Sequence, residues 1–413
     1  MTTPATQEAL VRAFADEWGR VVAALVRTTG DWSIAEDAAQ DAFAKAATTW
    51  PRDGVPRNPG AWLTTVARNR ALDVLRRGGV ERSVIAAEGV RLEGREDVDV
   101  EPDDVPDDRL RLIFTCCHPA LALEARVALT LRTLCGLTVD EIAQAFGWSE
   151  AATAKRLVRA RQKIQRAGIP YRVPSGAALG ERLGGVLAVL YLLFTEGYAP
   201  SGGDAVVRPE LSSEAIRLAA VLADLMPDEL EALGLLALMR FQDSRRAART
   251  APDGSLVPLD EQDRSLWSRE SIAAGEAALL AADRPGRPIG YYVLQARIAA
   301  QHARSLDTGS VDRAAIARAY GLLRAFSGSP QLAIAHAVAV GLADGSEAGL
   351  ALLDEVSGGG ATLPAARADL LRRAGRDEEA ATAYRAALET VRTEPERRFL
   401  ARRLVEVTAG AAG

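Results

Sequence analysis

Between Glu93 and Asp108 the chain places nine carboxylates and a single arginine, within the stretch "LEGREDVDVEPDDVPDD". So dense an array of like charge resists burial, because each desolvated carboxylate without a partner costs several kcal/mol. Apolar periodicity is absent from Gly78 to Asp108 and resumes on both sides. The segment therefore reads as a linker, and the 413 residues are expected to fold around it as separate bodies. About 30 flexible residues have a root-mean-square span of roughly 30 Å, with a ceiling near 100 Å. Extended by self-repulsion, such a linker could hold two DNA-binding units about two helical turns, roughly 70 Å, apart. The same composition also fits a solvated acidic loop with no further role.

Ala, Leu and Arg dominate the remainder, aromatics are only 5% of the chain, and residues that favour strands never form a long alternating run. The expected fold class is all-α. The net charge of −5 would not by itself suggest a nucleic-acid binder, but the charges are segregated, and local charge matters more. Three cysteines in so long a chain, with no charged-then-apolar leader, argue against a secreted disulfide protein. No run of about 18 apolar residues is evident, so no membrane span is expected and the chain is expected in the cytoplasm.

Helical patterning divides the chain into a first helical domain (1–78), the acidic linker (79–108), a second small domain (109–170), a helical extension (171–288) and a terminal part (289–413). Asp31 or Ser33 is a natural cap for the helix in "DWSIAEDAAQDAFAKAATTW", and Pro59 suits the opening of the next. "ARTAPDGSLVPLDEQD" reads as a turn or short hairpin. In the terminal part, "AVAVGLADGSEAGLALLDEV" and "ADLLRRAGRDEEAATAYRAALETV" each set a glycine between an Ala-rich helix and an amphipathic one. With the placement of Tyr384, they resemble tetratricopeptide-like hairpins.

The second small domain carries "GLTVDEIAQAFGWSEAATAKRLVRARQKI". Thr138 and Glu141 have the spacing of a capping box, Val139, Ile142, Ala143 and Phe146 share a face, Gly147 ends that helix, and Ser149 can cap the next. Two helices joined by so short a turn form a helix-turn-helix. In the second helix Ala154, Leu157, Val158 and Ile164 are expected to face inward. Six basic residues and no acids lie between Ala151 and Ala167. Docked N-terminus first in the major groove, this helix would bring Ser149, Glu150, Thr153, Lys155 and Arg156 near base edges. Arg159, Arg161 and Lys163 would then lie toward phosphates.

The first domain carries a companion signal in "GAWLTTVARNRALDVLRR". Leu63, Val66, Leu72 and Leu75 supply an inward stripe, while Arg68, Asn69, Arg70, Asp73, Arg76 and Arg77 crowd the other surface. Such a surface suits single-stranded or partly melted DNA. Trp62 reads either as a stacking platform or as core. Upstream, Glu36, Asp37, Gln40 and Asp41 form an acidic face unsuited to DNA, which fits a basic protein partner or simple solvation.

Other clusters carry less. "TCCHPAL" sets Cys116, Cys117 and His118 side by side, but adjacent cysteines diverge on a helix and no spaced partner set completes a tetrahedron, so no metal or other cofactor is expected. Nothing pairs a nucleophile with a base, and no catalytic residue is assigned. "FTEGYAPSGGDAVVRPE", with Glu196, Tyr198, Asp204 and Arg208, has the composition of a specific joint between helices or of an ordinary loop.

In order, "AEDAAQDAF", "NPGAWLTTVARNRALDVLRR", an acidic linker and "GLTVDEIAQAF…KRLVRAR" resemble a bacterial RNA polymerase sigma factor of the extracytoplasmic-function class, across roughly residues 7–168. The remainder, with "YLLFTEGYAPSGGDAVVRPELSSEAIRLA", "LGLLALMRFQDSRRAAR" and "ARADLLRRAGR", resembles the C-terminal extension of one subgroup that ends in tetratricopeptide-like repeats. The resemblance implies that core RNA polymerase and promoter DNA are the partners. It implies that Glu36, Asp37, Gln40 and Asp41 grip the polymerase clamp helices. Trp62 and the Arg68–Arg77 face would recognise and melt the upstream minus-ten element. Lys155, Arg156 and Arg159 would lie in the helix that reads the minus-thirty-five element. Many relatives carry Thr followed by an apolar residue where this chain has Ala152 and Thr153, which leaves base contacts at that helix start open. A regulatory protein on the repeats is a further expected partner. A dimeric helix-turn-helix regulator and a repeat-based scaffold are the alternatives, but each leaves part of the charge pattern unused.

Overall fold

The computed structural model describes residues 4–77, 108–146, 148–175, 177–199, 208–308 and 310–410. The acidic linker, Gly147 and Asp204 lie outside them. Among the described residues the regular structure is helical, apart from one isolated antiparallel bridge between Thr250 and Leu256. The fold is all-α. The bridge falls in the segment expected as a hairpin: Ala251 N–H donates to Ser255 O, Val257 N–H donates to Arg249 O, and Gly254 turns between them. The chain divides into two compact units, Met1–Val189 and Leu190–Gly413.

The first unit opens with α1 (Pro4–Thr29), α2 (Trp32–Asp53) and α3 (Pro59–Arg77), packed together as a three-helix bundle. Asp31 caps α2 by accepting from the Ser33 and Ile34 N–H groups, which decides between the two expected caps. The inward stripe of α2 is Ala35, Ala38, Ala39, Ala42 and Ala46, closed by Trp50. Small side chains on that stripe let the neighbouring helices approach closely. Pro59 opens α3, where the Asn58 carboxamide accepts from Ala61 N–H at 3.0 Å.

α4 (Asp108–Cys116), α5 (Leu123–Leu134), α6 (Val139–Phe146) and α7 (Glu150–Arg166) follow, and α4 and α5 both pack against α1. The two helical parts of this unit are thus in direct contact, unlike the separated arrangement expected from the linker. The reason is apolar and specific. Trp18 of α1 is buried and donates from its indole to Thr133 O at 3.1 Å. The Tyr171 hydroxyl lies 3.0 Å from both Ala23 O and Asp108 O.

α8 (Ala177–Tyr198) begins in the first unit, where Arg182 donates to Phe114 O at 2.7 Å, and the division between units falls within it. By length and composition its span Ala178–Tyr198, with mean hydropathy 1.5, could cross a membrane. The span includes Glu181, Arg182 and Glu196 and so is not an unbroken apolar run. Several of its apolar residues, including Val186, Val189, Leu190 and Phe194, are buried against protein.

In the second unit α9 (Pro209–Leu225), α10 (Leu230–Asp243), α11 (Arg269–Ala282) and α12 (Tyr291–Thr308) pack around α10. α13 (Arg313–Leu323), α14 (Pro330–Asp344), α15 (Ser346–Asp354), α16 (Thr362–Arg373), α17 (Asp377–Thr390) and α18 (Glu394–Gly410) continue as antiparallel neighbours. The expected hairpins are α14–α15 and α16–α17. Their turns sit on Gly345 (φ 109°) and Gly375 (φ 74°), conformations a residue with a Cβ resists. Tyr384 is buried in the core they share. The close packing of α12 on α10 leaves no compact boundary near residue 288.

Candidate nucleic-acid interface

The helix-turn-helix is built by local capping. Glu141 accepts from the Thr138 N–H at 2.7 Å while Thr138 Oγ1 accepts from the Glu141 N–H at 3.2 Å, so the capping box closes in both directions. Ser149 Oγ accepts from Ala152 N–H and starts α7. The buried stripe of α7 is Thr153, Leu157, Ala160 and Ile164. Of the expected inward set Leu157 and Ile164 are buried, whereas Ala154 is half-buried and Val158 is 50% exposed, and Thr153 and Ala160 take their places in the stripe. The spacing of 4, 3 and 4 residues follows one helix face, whereas 157 and 158 together do not. Thr153 therefore does not face DNA here, and its hydroxyl donates to Ser149 O at 3.1 Å. An apolar residue would suit that position equally well, because the local carbonyl satisfies the hydroxyl.

Lys155, Arg159 and Lys163 are exposed away from that stripe, and Glu150 is exposed at the start of α7. Lys155, Arg159 and Lys163 lie on a helix whose one acid is Glu150, in its first turn. Arg156 is half-buried, with its guanidinium carbon 4.2 Å above the Trp148 ring, which itself stacks on Phe146. Arg161 faces inward. Its Nη2 donates to Glu36 Oε1 at 2.6 Å, so a residue expected at phosphates is engaged within the chain.

The same contact relocates Glu36. On α2 this residue is 1% exposed, and its carboxylate also accepts from Arg132 Nε and Thr133 Oγ1 of α5, each at 3.0 Å. It is not part of the exposed acidic face, which consists of Asp37, Gln40 and Asp41. Glu36 neighbours the buried positions 35 and 39 and so lies at the edge of the inward stripe, where two arginines from α5 and α7 neutralise it.

On α3 the side chains of Arg68, Asn69, Arg70, Asp73 and Arg76 are exposed, and Arg77 ends the helix. Arg70 pairs with Asp41 at 2.5 Å, and Arg76 lies 3.6 Å from Asp73. Both pairs are open to solvent and are worth little, at most about 1 kcal/mol. Trp62 is half-buried against Trp50, with ring centroids 5.7 Å apart, which is a packing role. Beside α3 a shallow groove is lined by Glu17, Arg20, Asn58, Thr64, Arg68 and Asn69.

Cys116 and Cys117 are buried free thiols. Burial raises the Cys116 thiol well above its ordinary range and brings Cys117 up to about 11, so both stay protonated. Among the described residues no group of three His, Cys, Asp or Glu side chains is placed to hold a metal. In the second unit Tyr198 is buried, stacked on Phe194 with Arg249 over its ring. Arg208 N–H donates to Gly197 O at 2.6 Å, and Glu196 is half-buried nearby in sequence.

The first unit thus packs a three-helix bundle bearing an arginine-rich helix with a helix-turn-helix that presents a basic face. The family described as Sigma-70 region 2 matches residues 10–80, and Sigma-70, region 4, matches 111–164. Residues 182–283 match a family of unknown function (DUF6596). An uncharacterized protein of Rhizobium meliloti (strain 1021) is 38% identical over 400 residues, covering 95% of this chain and 94% of that protein. No solved structure matches the chain. The chain belongs to the sigma-70 family, as a factor like those of the extracytoplasmic-function class with a C-terminal extension. It works with core RNA polymerase and promoter DNA in transcription initiation.

Proposed function

We propose that this factor recognises and opens promoters through two basic surfaces of its first unit, while Asp37, Gln40 and Asp41 meet basic side chains of the polymerase. The outward face of α7 takes the duplex: Glu150 and Arg156 lie toward base edges, and Lys155, Arg159 and Lys163 lie toward phosphates. The α3 face, with Arg68, Asn69, Arg70, Arg76 and Arg77, takes strands as they separate. The groove beside it offers Asn58, Arg68 and Asn69 to the edge of an extruded base. The observation that carries this reading is the exposed basic face of α7, held outward by its buried stripe. The closed arrangement engages Arg161 with Glu36, so full use of α7 on DNA requires that contact to open. The C-terminal extension modulates the balance.

The direct test is run-off transcription with core polymerase, comparing the unaltered chain with a Lys155→Ala, Arg159→Ala, Lys163→Ala triple variant. Promoter-specific transcripts from the first and none from the second are expected, and equal transcripts from both would overturn the reading. Arg159→Ala alone should weaken promoter and random DNA alike and reduce the salt slope by about one. Arg156→Ala should cost roughly 1–3 kcal/mol at one base position, measured by competition among single-base promoter variants. Equal losses on all sequences would remove its base-reading role and leave the stack on Trp148 as its purpose.

A further inference from the structure

The second unit holds a set of arginines packed on buried aromatic rings, with no ion pair to a carboxylate for Arg245, Arg249 or Arg264 among the described residues. Arg249 places its guanidinium carbon 3.8 Å from the Tyr198 ring centroid. Arg245 lies 5.9 Å from the same ring and 5.8 Å from that of Trp267, and Arg264 lies 5.8 Å from Trp267 on its own account. Arg245 is thus the common neighbour of both rings. The groups acting on Arg245 are Tyr198, Arg249 and Tyr320, with burial the largest, and no acid is among them. His302 is held neutral, its pKa lowered to about 4 by burial and by Arg245 and Arg264. Arg264 donates to the hydroxyl of buried Ser305 at 2.7 Å, a neutral acceptor.

Polar atoms of these side chains are likewise without hydrogen-bond partners. Tyr198 is 7% and Trp267 5% exposed, yet the Tyr198 hydroxyl and the Trp267 indole nitrogen are buried with no hydrogen bond. Nε of Arg249 is in the same condition. A guanidinium over an aromatic face recovers only part of what its removal from water costs, and clustered like charges add to that cost. Unpaired buried donors are unfavourable for the same reason. Planar guanidiniums with neutral N–H and O–H donors nearby have the chemistry that binds an oxyanion.

We propose that Arg245 and Arg249, with the Tyr198 hydroxyl and the Trp267 indole N–H, form a binding site for a small oxyanion ligand whose head group is a carboxylate or a phosphate. Tyr198 to Trp267 lies within the segment matching a family of unknown function, so the site gives that segment a ligand-sensing role. The proposal does not depend on how the first unit meets DNA.

The test is thermal unfolding of the full chain with sodium phosphate or sodium succinate, each against sodium chloride at matched ionic strength. A saturable rise in the unfolding temperature is expected with at least one anion. Phosphate alone would mark a phosphate ligand, and succinate alone a carboxylate. Arg245→Gln and Arg249→Gln should each weaken the apparent affinity at least about tenfold, the mark of one lost charge-assisted contact. Both should leave the ligand-free unfolding temperature unchanged or higher, because an uncompensated charge is removed. A purely structural stack would instead lose stability. Trp267→Phe keeps the ring and removes the N–H, so it should weaken binding in a folded protein. No rise beyond chloride with either anion, or the same rise in all three variants, overturns the site.

Discussion

Glu36→Ala is expected to cost the first unit about 3–5 kcal/mol, the usual loss when one partner of a buried ion pair is removed. The carboxylate is 2% exposed and accepts three hydrogen bonds from α5 and α7, two of them from arginines. Without it, Arg132 and Arg161 keep their charges in a poorly hydrated contact, with side chains only 15% and 20% exposed. Partial access to water puts the loss toward the lower end. The measurement is hydrogen exchange across α2, α5 and α7, which reads the first unit apart from the second. Protection should fall in those helices and hold in the second unit. A second consequence separates a clasp from a simple brace: with Arg161 released, nonspecific DNA binding should steepen its salt dependence by about one phosphate contact. Unchanged protection in α5 and α7 would show that the contact carries little energy.

That residue also marks where sequence reading ends. The caps at Asp31, Thr138 with Glu141, and Ser149 were legible because each bond joins residues two or three apart. The basic outer face of α7 was legible for a related reason, since helix periodicity alone separates it from the buried side. Glu36 was not, because its partners lie 96 to 125 positions away, and an acid beside Asp37, Gln40 and Asp41 looks like its neighbours until α5 and α7 arrive. Val158 misled by composition: it is apolar but falls off the stripe through Leu157, Ala160 and Ile164. The arginine set around Trp267 was not legible, because Arg245 and Arg249 meet Tyr198, Arg264 and Trp267 only across separate segments of the chain. The available signal was "DSRRAAR", three arginines of which only Arg246 finds a carboxylate on its own helical turn.

Gly136→Val should open the same seam from its apolar side. Gly136 follows α5 with φ 74°, in the left-handed region, where a β-branched residue is strained by about 1–3 kcal/mol. A Cβ there would stand 2.6 Å from Phe14 Cζ and 3.0 Å from Trp18 Cε2. Both rings are held by neighbours. Phe14 stacks on Trp18 at 5.1 Å and meets Phe43 edge-on at 5.1 Å, while Trp18 is 2% exposed and tied to Thr133 O. Overpacking adds about 1–3 kcal/mol to the backbone strain, so the total rivals the loss of Glu36. The two substitutions differ in kind: valine at 136 separates α1 from α5 while leaving the Glu36 carboxylate and its arginines chemically intact. The expected result is lost protection in α1 and α5 together with weaker Trp18 burial, read by acrylamide quenching against a Trp18→Phe control. Gly136→Ala should show the same change at reduced size, because its Cβ meets the same rings without β-branching. If the valine variant kept both protection and quenching of the unaltered chain, the aromatic seam would be able to yield, and the bundle would be held to α5 chiefly through α2, by the Glu36 carboxylate.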